Sequence, residues 1–175
     1  MIETMAAYGS LIEPATLKLE RLLPGPIERC WAYLTDSELR QQWVAAGEMD
    51  MKVGSAFELV WHNDKLTDPP GKRPEGFGAE HRMHSRIVAF EVPRRLVFTW
   101  GENGEVSFEL QPRGTEVLLT VIHRRIPDRV ALLNVSAGWH AHLDLLVARM
   151  RGTVAVPHWD LWTRLKGEYQ RRFPA

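Results

Sequence analysis

The fold of this 175-residue chain is organised around the segment IPDRVALLNVSAGWHAHLDLLVARMRG, residues 126–152. At about 100° per residue, the large apolar side chains Trp139, Leu143, Leu146 and Met150 fall on one side of a helix, and several alanines fall on the other. The spacing therefore predicts one long amphipathic helix.

The ends of this predicted helix carry helix-terminating residues. Pro127 is favoured in the first turn, and Asp128 suits the positive end of the helix dipole. Arg149 and Arg151 suit the negative end, and Gly152 can adopt a left-handed C-cap conformation. Almost everything before the helix reads as strands or turns, so we expect the helix to lie on a sheet and to close a cavity.

Composition favours a single domain with a full hydrophobic core, because 45% of the residues are hydrophobic. Lys plus Arg and Asp plus Glu both number 22, which argues against a nucleic-acid binder. Cys30 is the only cysteine and reads as a core residue. No apolar run is long enough for a signal or a membrane span, so we expect a cytoplasmic protein without membrane insertion.

Period-two alternation predicts a series of strands joined by short connections, which is typical of an antiparallel meander. The predicted strands are 16–23, a hairpin of 48–51 with 55–61, and then 80–90, 95–100, 105–111 and 115–124. Two short helices are expected after the first strand, beginning at Pro26 and Ser37. The Pro- and Gly-rich segment 62–79 is too long for a simple turn.

Three segments follow from this pattern. Residues 1–15 read as a loosely held N-terminal leader, and residues 16–152 as the domain itself. Residues 153–175 should form a tail helix beginning at Pro157, which packs on its own domain or on a partner subunit. A monomer and a homodimer are both compatible with this reading.

Several local sequence motifs resemble those of a known protein family. The segment PIERCWAYLTDSELRQQW, residues 26–43, is similar to a signature of proteins that resemble the C-terminal domain of the activator of the heat-shock-protein-90 ATPase. RRLVFTW at 94–100, His123 and Gly138-Trp139 continue the similarity in family order. The resemblance covers roughly residues 15–150. The chain is identified as a member of this subgroup of the START-like (SRPBCC) superfamily.

This resemblance implies an α+β helix-grip fold, in which a curved antiparallel sheet of six to seven strands grips a long C-terminal helix. In such a fold the inward-facing strand residues and the apolar helix side should enclose a hydrophobic pocket. By alternation the expected ligand-binding residues are Phe57, Leu59, Trp61, Ile87, Phe98, Trp100, Phe108, Leu110, Val117, Leu119, Val121, His123, Trp139, Leu143, Leu146 and Met150. Any one of them could equally be plain core.

His123 is the most informative polar residue of this set. It has the same strand parity as Val117, Leu119 and Val121, so its ring should point toward the long helix. A buried histidine needs a hydrogen-bond partner or loses its proton. The sequence leaves three readings open, namely a structural histidine, a ligand contact and a general acid or base.

No metal site or cofactor is expected. His140 and His142 are two apart on a helix and point in nearly opposite directions, and His81 and His84 fall on opposite faces of a strand. No catalytic residue is assigned, because the serines lack a nucleophile elbow and no phosphate-binding or dinucleotide glycine motif is present.

Three functions remain after these exclusions. The first is non-catalytic binding of an apolar or amphipathic small molecule in the cavity. The second is a cyclase-, dehydratase- or hydrolase-like enzyme in which His123 moves protons. The third is an interaction module that acts on a chaperone, which the resemblance alone suggests.

Overall fold

The computed structural model describes residues 6–175 and contains seven strands, four α-helices and a short 3-10 helix (Asn63–Lys65) within them. In chain order they are β1 (Ser10–Glu13), β2 (Thr16–Pro24), α1 (Ile27–Thr35), α2 (Ser37–Arg40), β3 (Ala56–Trp61), β4 (His81–Glu91), β5 (Arg95–Trp100), β6 (Gly104–Arg113), β7 (Glu116–Arg124), α3 (Arg129–Arg151) and α4 (His158–Arg172). All strand pairs are antiparallel, in the order β1-β2-β7-β6-β5-β4-β3. The predicted α+β helix-grip fold is confirmed.

Helix α3 begins and ends where its sequence predicts. The Asp128 side chain accepts a hydrogen bond from the backbone N–H of Ala131 at 2.8 Å, which satisfies a free donor of the first turn. Gly152 closes the helix with φ 69°, a left-handed conformation that glycine adopts without steric cost. None of the helices within residues 6–175 is long and apolar enough to cross a membrane.

Helix α3 is buried on two sides rather than one. The Trp139 side belongs to the main core against the sheet. On the opposite side, Ala137 and Ala141 are covered by Trp162 and Leu165 of α4, and together they form a second, smaller core. The short alanine side chains let α4 approach closely, which explains why a face without large apolar residues is nevertheless buried.

The expected hairpin between 48–51 and 55–61 is wrong. Strand β3 pairs with β4 instead, and residues 48–51 have no regular strand structure. Only an isolated bridge joins Ala46 to Val60. The alternation of Met49 and Met51 has another cause, because both side chains pack against the main core from an irregular segment.

Part of the N-terminal segment that the sequence predicts as a leader belongs to the sheet. Residues 10–13 form β1, which pairs with β2 at the edge of the sheet. The backbone N–H of Gly9 donates to the Tyr169 hydroxyl at 2.7 Å, which ties this segment to α4. Residues 1–5 of the expected leader lie outside the described residues.

Candidate functional site

A cavity of about 450 Å³ opens at one end of the sheet, where β3, β4 and β5 meet the middle of α3 and the first turns of α4. The segment 76–80, which leads into β4, borders its remaining side. The residues that line the cavity are Val44, Trp61, Asn63, Gly76, Phe77, Gly78, Ala79, Glu80, His81, Trp100, Asn134, Val135, Gly138, Trp139, His142, Trp159 and Trp162.

Aromatic rings from the sheet and from α3 form one wall. Trp61 ends β3 and Trp100 ends β5, and their ring centroids are 5.6 Å apart in an edge-to-face arrangement. Trp139 of α3 lies 5.4 Å from Trp100, and His81 lies 5.3 Å from Trp61. These rings gather because three strands end beside the same turn of the helix.

A second aromatic group belongs to α4 and to the segment above it. The ring of Phe77 lies 5.7 Å from that of Trp159 and 5.0 Å from that of Trp162. Phe77 is 38% exposed, so it covers the cavity while it still faces solvent. The cavity therefore has aromatic rings both on the sheet side and on the α4 side.

The long connection from β3 to β4 is held to α4 over its first half. The Trp159 indole N–H donates to the Asp64 carboxylate at 2.7 Å, and the Trp159 backbone N–H donates to the Pro70 carbonyl at 3.0 Å. The Lys72 backbone N–H donates to Asp160 at 2.9 Å. In contrast, residues 76–80 are exposed and follow these attachments. Helix α4 thus binds the first half of the connection, while residues 76–80 at the end of the connection lie over the cavity.

Two buried amide oxygens face no donor. The side-chain oxygens of Asn63 and Asn134 have no hydrogen-bond partner among the described residues, and both asparagines line the cavity. Among the described residues, Glu80 is the only side chain of the lining with a full formal charge, and it pairs with Arg82 at 2.8 Å outside the cavity.

His142 adds a neutral ring to the lining. Its Nδ1 lies 2.8 Å from the Trp43 carbonyl oxygen, which requires Nδ1 to carry the proton. Burial lowers the pKa of His142 to about 4, and its ring centroid lies 4.7 Å from that of His158. Burial also lowers the pKa of His158, to about 2. Both rings are therefore neutral near pH 7.

Two further surface cavities, of about 450 and 590 Å³, differ in chemistry. Among the described residues that line them there is no Trp, Phe or Tyr. One of them borders the buried Arg21, which pairs with Asp144 at 3.0 Å. Within residues 6–175, no group of three or more His, Cys, Asp or Glu side chains could hold a metal ion. The aromatic cavity is the best candidate site.

Comparison with known families identifies the domain. The family model described as Activator of Hsp90 ATPase homolog 1-like protein matches residues 24–151. The chain belongs to this family. The family, and the START-like superfamily around it, are those to which the sequence motifs pointed.

Solved structures share the fold of this family member. The protein encoded by gene BPP1335 from Bordetella parapertussis is 34% identical, with 99% of this chain and 96% of that chain covered and a TM-score of 0.79. CalU16 from Micromonospora echinospora is 21% identical, with 91% and 89% covered and a TM-score of 0.67. A search of curated proteins found no match.

A third structure extends the likeness of fold. The conserved protein of unknown function EF2215 from Enterococcus faecalis is 17% identical, with 91% of this chain and 86% of that chain covered and a TM-score of 0.68. The coverage of this chain includes much of what lies outside the matched family segment. The fold is thus shared at low sequence identity.

The sequence-predicted ligand-binding residues of this family member fall into three groups. Trp61, Trp100 and Trp139 line the cavity. Leu59, Phe98 and Phe108 join them around an interior void of only about 10 Å³. The other ten do not line this cavity, the two surface cavities or the interior void: Phe57, Ile87, Leu110, Val117, Leu119, Val121, His123, Leu143, Leu146 and Met150.

This cavity lies at the end of the sheet, whereas the alternation predicts a pocket along the length of α3. Large rings fill the central space. Phe108 lies 6.3 Å from Trp43, 5.4 Å from Phe98 and 5.8 Å from Trp139, centroid to centroid. Trp43 comes from the segment after α2, which closes the concave side of the sheet. Inward alternation does not reveal how much of an interior is filled.

His123 lies in the core behind the cavity. Its Nδ1 accepts a hydrogen bond from the Trp139 indole N–H at 3.0 Å, and its side chain is buried. Burial lowers the pKa of His123 to about 4, so the ring is neutral near pH 7. Of the three readings of His123, the structural one is supported by this hydrogen bond, whose donor is a cavity tryptophan.

Several lining residues were not predicted from the sequence. Asn63, Phe77 and Glu80 belong to the long connection, whose length was its only functional signal. Asn134, Gly138 and His142 lie on the side of α3 between the sheet and α4, so they follow neither apolar stripe. Trp159 and Trp162 belong to the predicted tail helix, but nothing local to them in the sequence indicates that they border a cavity.

Proposed function

We propose that this protein binds a hydrophobic or amphipathic small molecule in the aromatic cavity, and that it acts without catalysis in the cytoplasm. The observation that carries the proposal is the convergence of six large aromatic rings on one cavity of about 450 Å³. This volume and this lining are typical of small-molecule sites, in which apolar walls supply affinity and a few polar groups orient the ligand. The family is one of ligand-binding domains with the same fold.

The enzyme alternative has no support from His123. Its Nδ1 is occupied by the Trp139 N–H, and the residue does not line the cavity. A general acid or base must reach the reacting atom directly or through one water. The chaperone alternative depends on the family description alone.

The binding proposal can be tested with N-phenyl-1-naphthylamine, an uncharged probe that fluoresces in apolar surroundings. A titration should show one binding site per chain. Gly138 lines the cavity, and a Cβ atom placed there would have only the Trp162 indole nitrogen within 4 Å, at 3.9 Å. A leucine at this position should therefore extend into the cavity and abolish probe binding.

Gly167→Leu is the matched control, because Gly167 is also helical but lies outside the cavity. Urea unfolding of both variants checks that each is folded. Probe binding that is lost in Gly138→Leu and kept in Gly167→Leu supports the proposal. Equal binding to both folded variants would place the probe elsewhere and contradict it.

A further inference from the structure

Helix α3 places a histidine ring with a defined proton on the wall of the aromatic cavity. His142 lines this cavity, and its Nδ1–H is donated to the Trp43 carbonyl oxygen at 2.8 Å. A neutral imidazole carries only one proton, so Nε2 of His142 has a lone pair and can only accept a hydrogen bond. Burial lowers the pKa of His142 to about 4, and this protonation state therefore persists at pH 7.

The Nε2 atom of His142 is accessible from the cavity. It has no hydrogen-bond partner among the described residues, but it is not one of the buried side-chain atoms that lack a partner, so it keeps exposed surface. Nε2 of His158 is such a buried atom, although the two rings lie only 4.7 Å apart. His142 borders the aromatic cavity and neither of the two surface cavities. A molecule in the aromatic cavity can therefore reach this acceptor.

The indole N–H of Trp162 adds a donor to the same part of the cavity. Like Nε2 of His142, it has no partner among the described residues and is not a buried atom that lacks one. A Cβ atom built on Gly138 would lie 3.9 Å from this indole nitrogen. His142 follows Gly138 by four residues on the same side of α3, about 6 Å along the helix axis. Because Gly138 has no side chain, both groups border the open space above it.

A hydroxyl group matches this donor and this acceptor. Its proton can be donated to Nε2 of His142, and its oxygen can accept from the Trp162 indole N–H. An ether oxygen can accept from Trp162 but has no proton for His142. A carboxylate at pH 7 would set its lone pairs against that of His142, and neither Lys nor Arg is among the described residues that line the cavity. A neutral molecule with a hydroxyl group therefore fits better than either.

We propose that the cavity recognises an apolar molecule by its hydroxyl group, which donates to Nε2 of His142 and accepts from the Trp162 indole N–H. His142 is then the residue that determines specificity, and it binds the hydroxyl proton without removing it. This inference rests on the proposed small-molecule function and specifies its ligand class.

Three compounds with the same bicyclic ring separate these contacts, namely naphthalene, 2-methoxynaphthalene and 2-naphthol. Their affinities are measured at pH 7 by displacement of N-phenyl-1-naphthylamine. 2-Naphthol should bind about tenfold more tightly than 2-methoxynaphthalene, because only its oxygen carries a proton for His142. Equal affinities for these two compounds, or a preference for the ether, would overturn the inference.

NMR of a protein with ¹⁵N-labelled histidine detects the contact without any substitution. The signal of an unprotonated ring nitrogen moves upfield when that nitrogen accepts a hydrogen bond. Saturation with 2-naphthol should therefore move the Nε2 signal of His142 upfield. 2-Methoxynaphthalene is the control for the effect of the bicyclic ring itself and should leave the signal near its position in the free protein. The same shift with both compounds, or no shift with either, would contradict a hydrogen bond to Nε2.

The variant Trp162→Phe removes the indole N–H and keeps an aromatic ring on α4. It should weaken the binding of 2-naphthol about fivefold and change that of naphthalene by less than about twofold. Trp31→Phe is the matched control, because Trp31 does not line the cavity, and it should bind both compounds as the unmodified protein does. Unchanged 2-naphthol binding in Trp162→Phe would overturn the assignment of this donor.

The two proposals fail in different ways. If N-phenyl-1-naphthylamine itself does not bind, or binds Gly138→Leu equally well, the small-molecule function fails. If that probe binds in the cavity but 2-naphthol and 2-methoxynaphthalene bind equally well, only the recognition of a hydroxyl group fails.

Discussion

The indole N–H of Trp139 donates to Nδ1 of His123 across 3.0 Å, and thereby joins the long helix to strand β7 inside the core. Both side chains are buried, and the Trp139 ring also borders the cavity. Because Nδ1 accepts, a neutral His123 must carry its proton on Nε2. From within the core, His123 therefore holds the Trp139 ring in the position in which it borders the cavity.

The first prediction concerns this hydrogen bond. His123→Phe keeps an aromatic ring but leaves the Trp139 N–H buried without an acceptor, which should lower the free energy of unfolding by about 1–3 kcal/mol. Trp139→Phe removes the donor. Urea unfolding of the two single variants and of the double variant measures the coupling between the residues.

The double variant should be less destabilised than the sum of the single variants. Strict additivity would mean that the hydrogen bond contributes nothing to stability. His84→Phe is the control, because the His84 side chain is 88% exposed and its replacement should change stability by less than about 0.5 kcal/mol.

The second prediction concerns the stability of the protein at acidic pH. The pKa values of His123 and His142 are lowered by burial from 6.5 to about 4, so the unfolded chain binds more protons than the folded chain between these values. The contribution of these two histidines to the free energy of unfolding is therefore complete above pH 6.5 and is lost as the pH falls toward 4. Each histidine should contribute a slope of about 1.4 kcal/mol per pH unit in the steep part of this window.

Chemical denaturation at a series of pH values between 4 and 7 measures the slope. His142→Gln should reduce it by the contribution of one histidine, and replacement of the exposed His84 by Gln should leave it unchanged. A slope that is the same in all three proteins would contradict the assignment of His142 as a buried neutral ring.

The third prediction contrasts Gly138 inside α3 with Gly152 at its C-cap. Gly138→Ala should stabilise the protein by about 0.5–1 kcal/mol, because alanine is the better helix former. The added Cβ finds only an ordinary contact, 3.9 Å from the Trp162 nitrogen. Gly152→Ala should instead destabilise, because φ at this C-cap is 69°. Thermal unfolding compares the two, and the same sign for both would contradict the helix-end geometry.

The fourth prediction concerns Phe77 as a cover. Phe77→Ala removes ring contacts to Trp159 and Trp162 and opens the cavity to solvent. Dissociation of N-phenyl-1-naphthylamine should become about tenfold faster, which corresponds to about 1.4 kcal/mol of lost aromatic contact. Stopped-flow dilution measures this rate, with the exposed Val53→Ala as control. An unchanged rate would mean that ligands enter by another route.

Much of the fold could be predicted because its signals are local. Asp128 and Gly152 mark the ends of α3 through interactions with their own helix, so neighbouring residues suffice to recognise them. The strands of the meander follow from alternation and turn residues. The strand predicted from the alternation of Met49 and Met51 is wrong, because alternation also arises where an irregular segment packs on a core.

The candidate site was harder to predict because its parts are distant in sequence. Asn63, Asn134 and Trp162 meet only after β3, α3 and α4 have packed, and none of them stands in a motif. Arg40 illustrates the same limit. It is 1% exposed, and its guanidinium donates to the carbonyl oxygens of Ala45 at 3.0 Å and Leu34 at 3.3 Å. Because arginine is mostly exposed in proteins, the residue type alone argues against a buried position for Arg40.

The most direct test of the proposed binding site uses the indole N–H signals of a ¹⁵N-labelled protein. Five of the seven tryptophans border the cavity, namely Trp61, Trp100, Trp139, Trp159 and Trp162. Trp31 and Trp43 do not, and they act as internal references. The protein is titrated with N-phenyl-1-naphthylamine, and the chemical shift of each indole N–H is followed. If the cavity is the binding site, the signals of the cavity tryptophans shift with a single saturation curve while those of Trp31 and Trp43 stay in place. Shifts that are absent, or that are as large at Trp31 and Trp43 as at the cavity, would contradict the account.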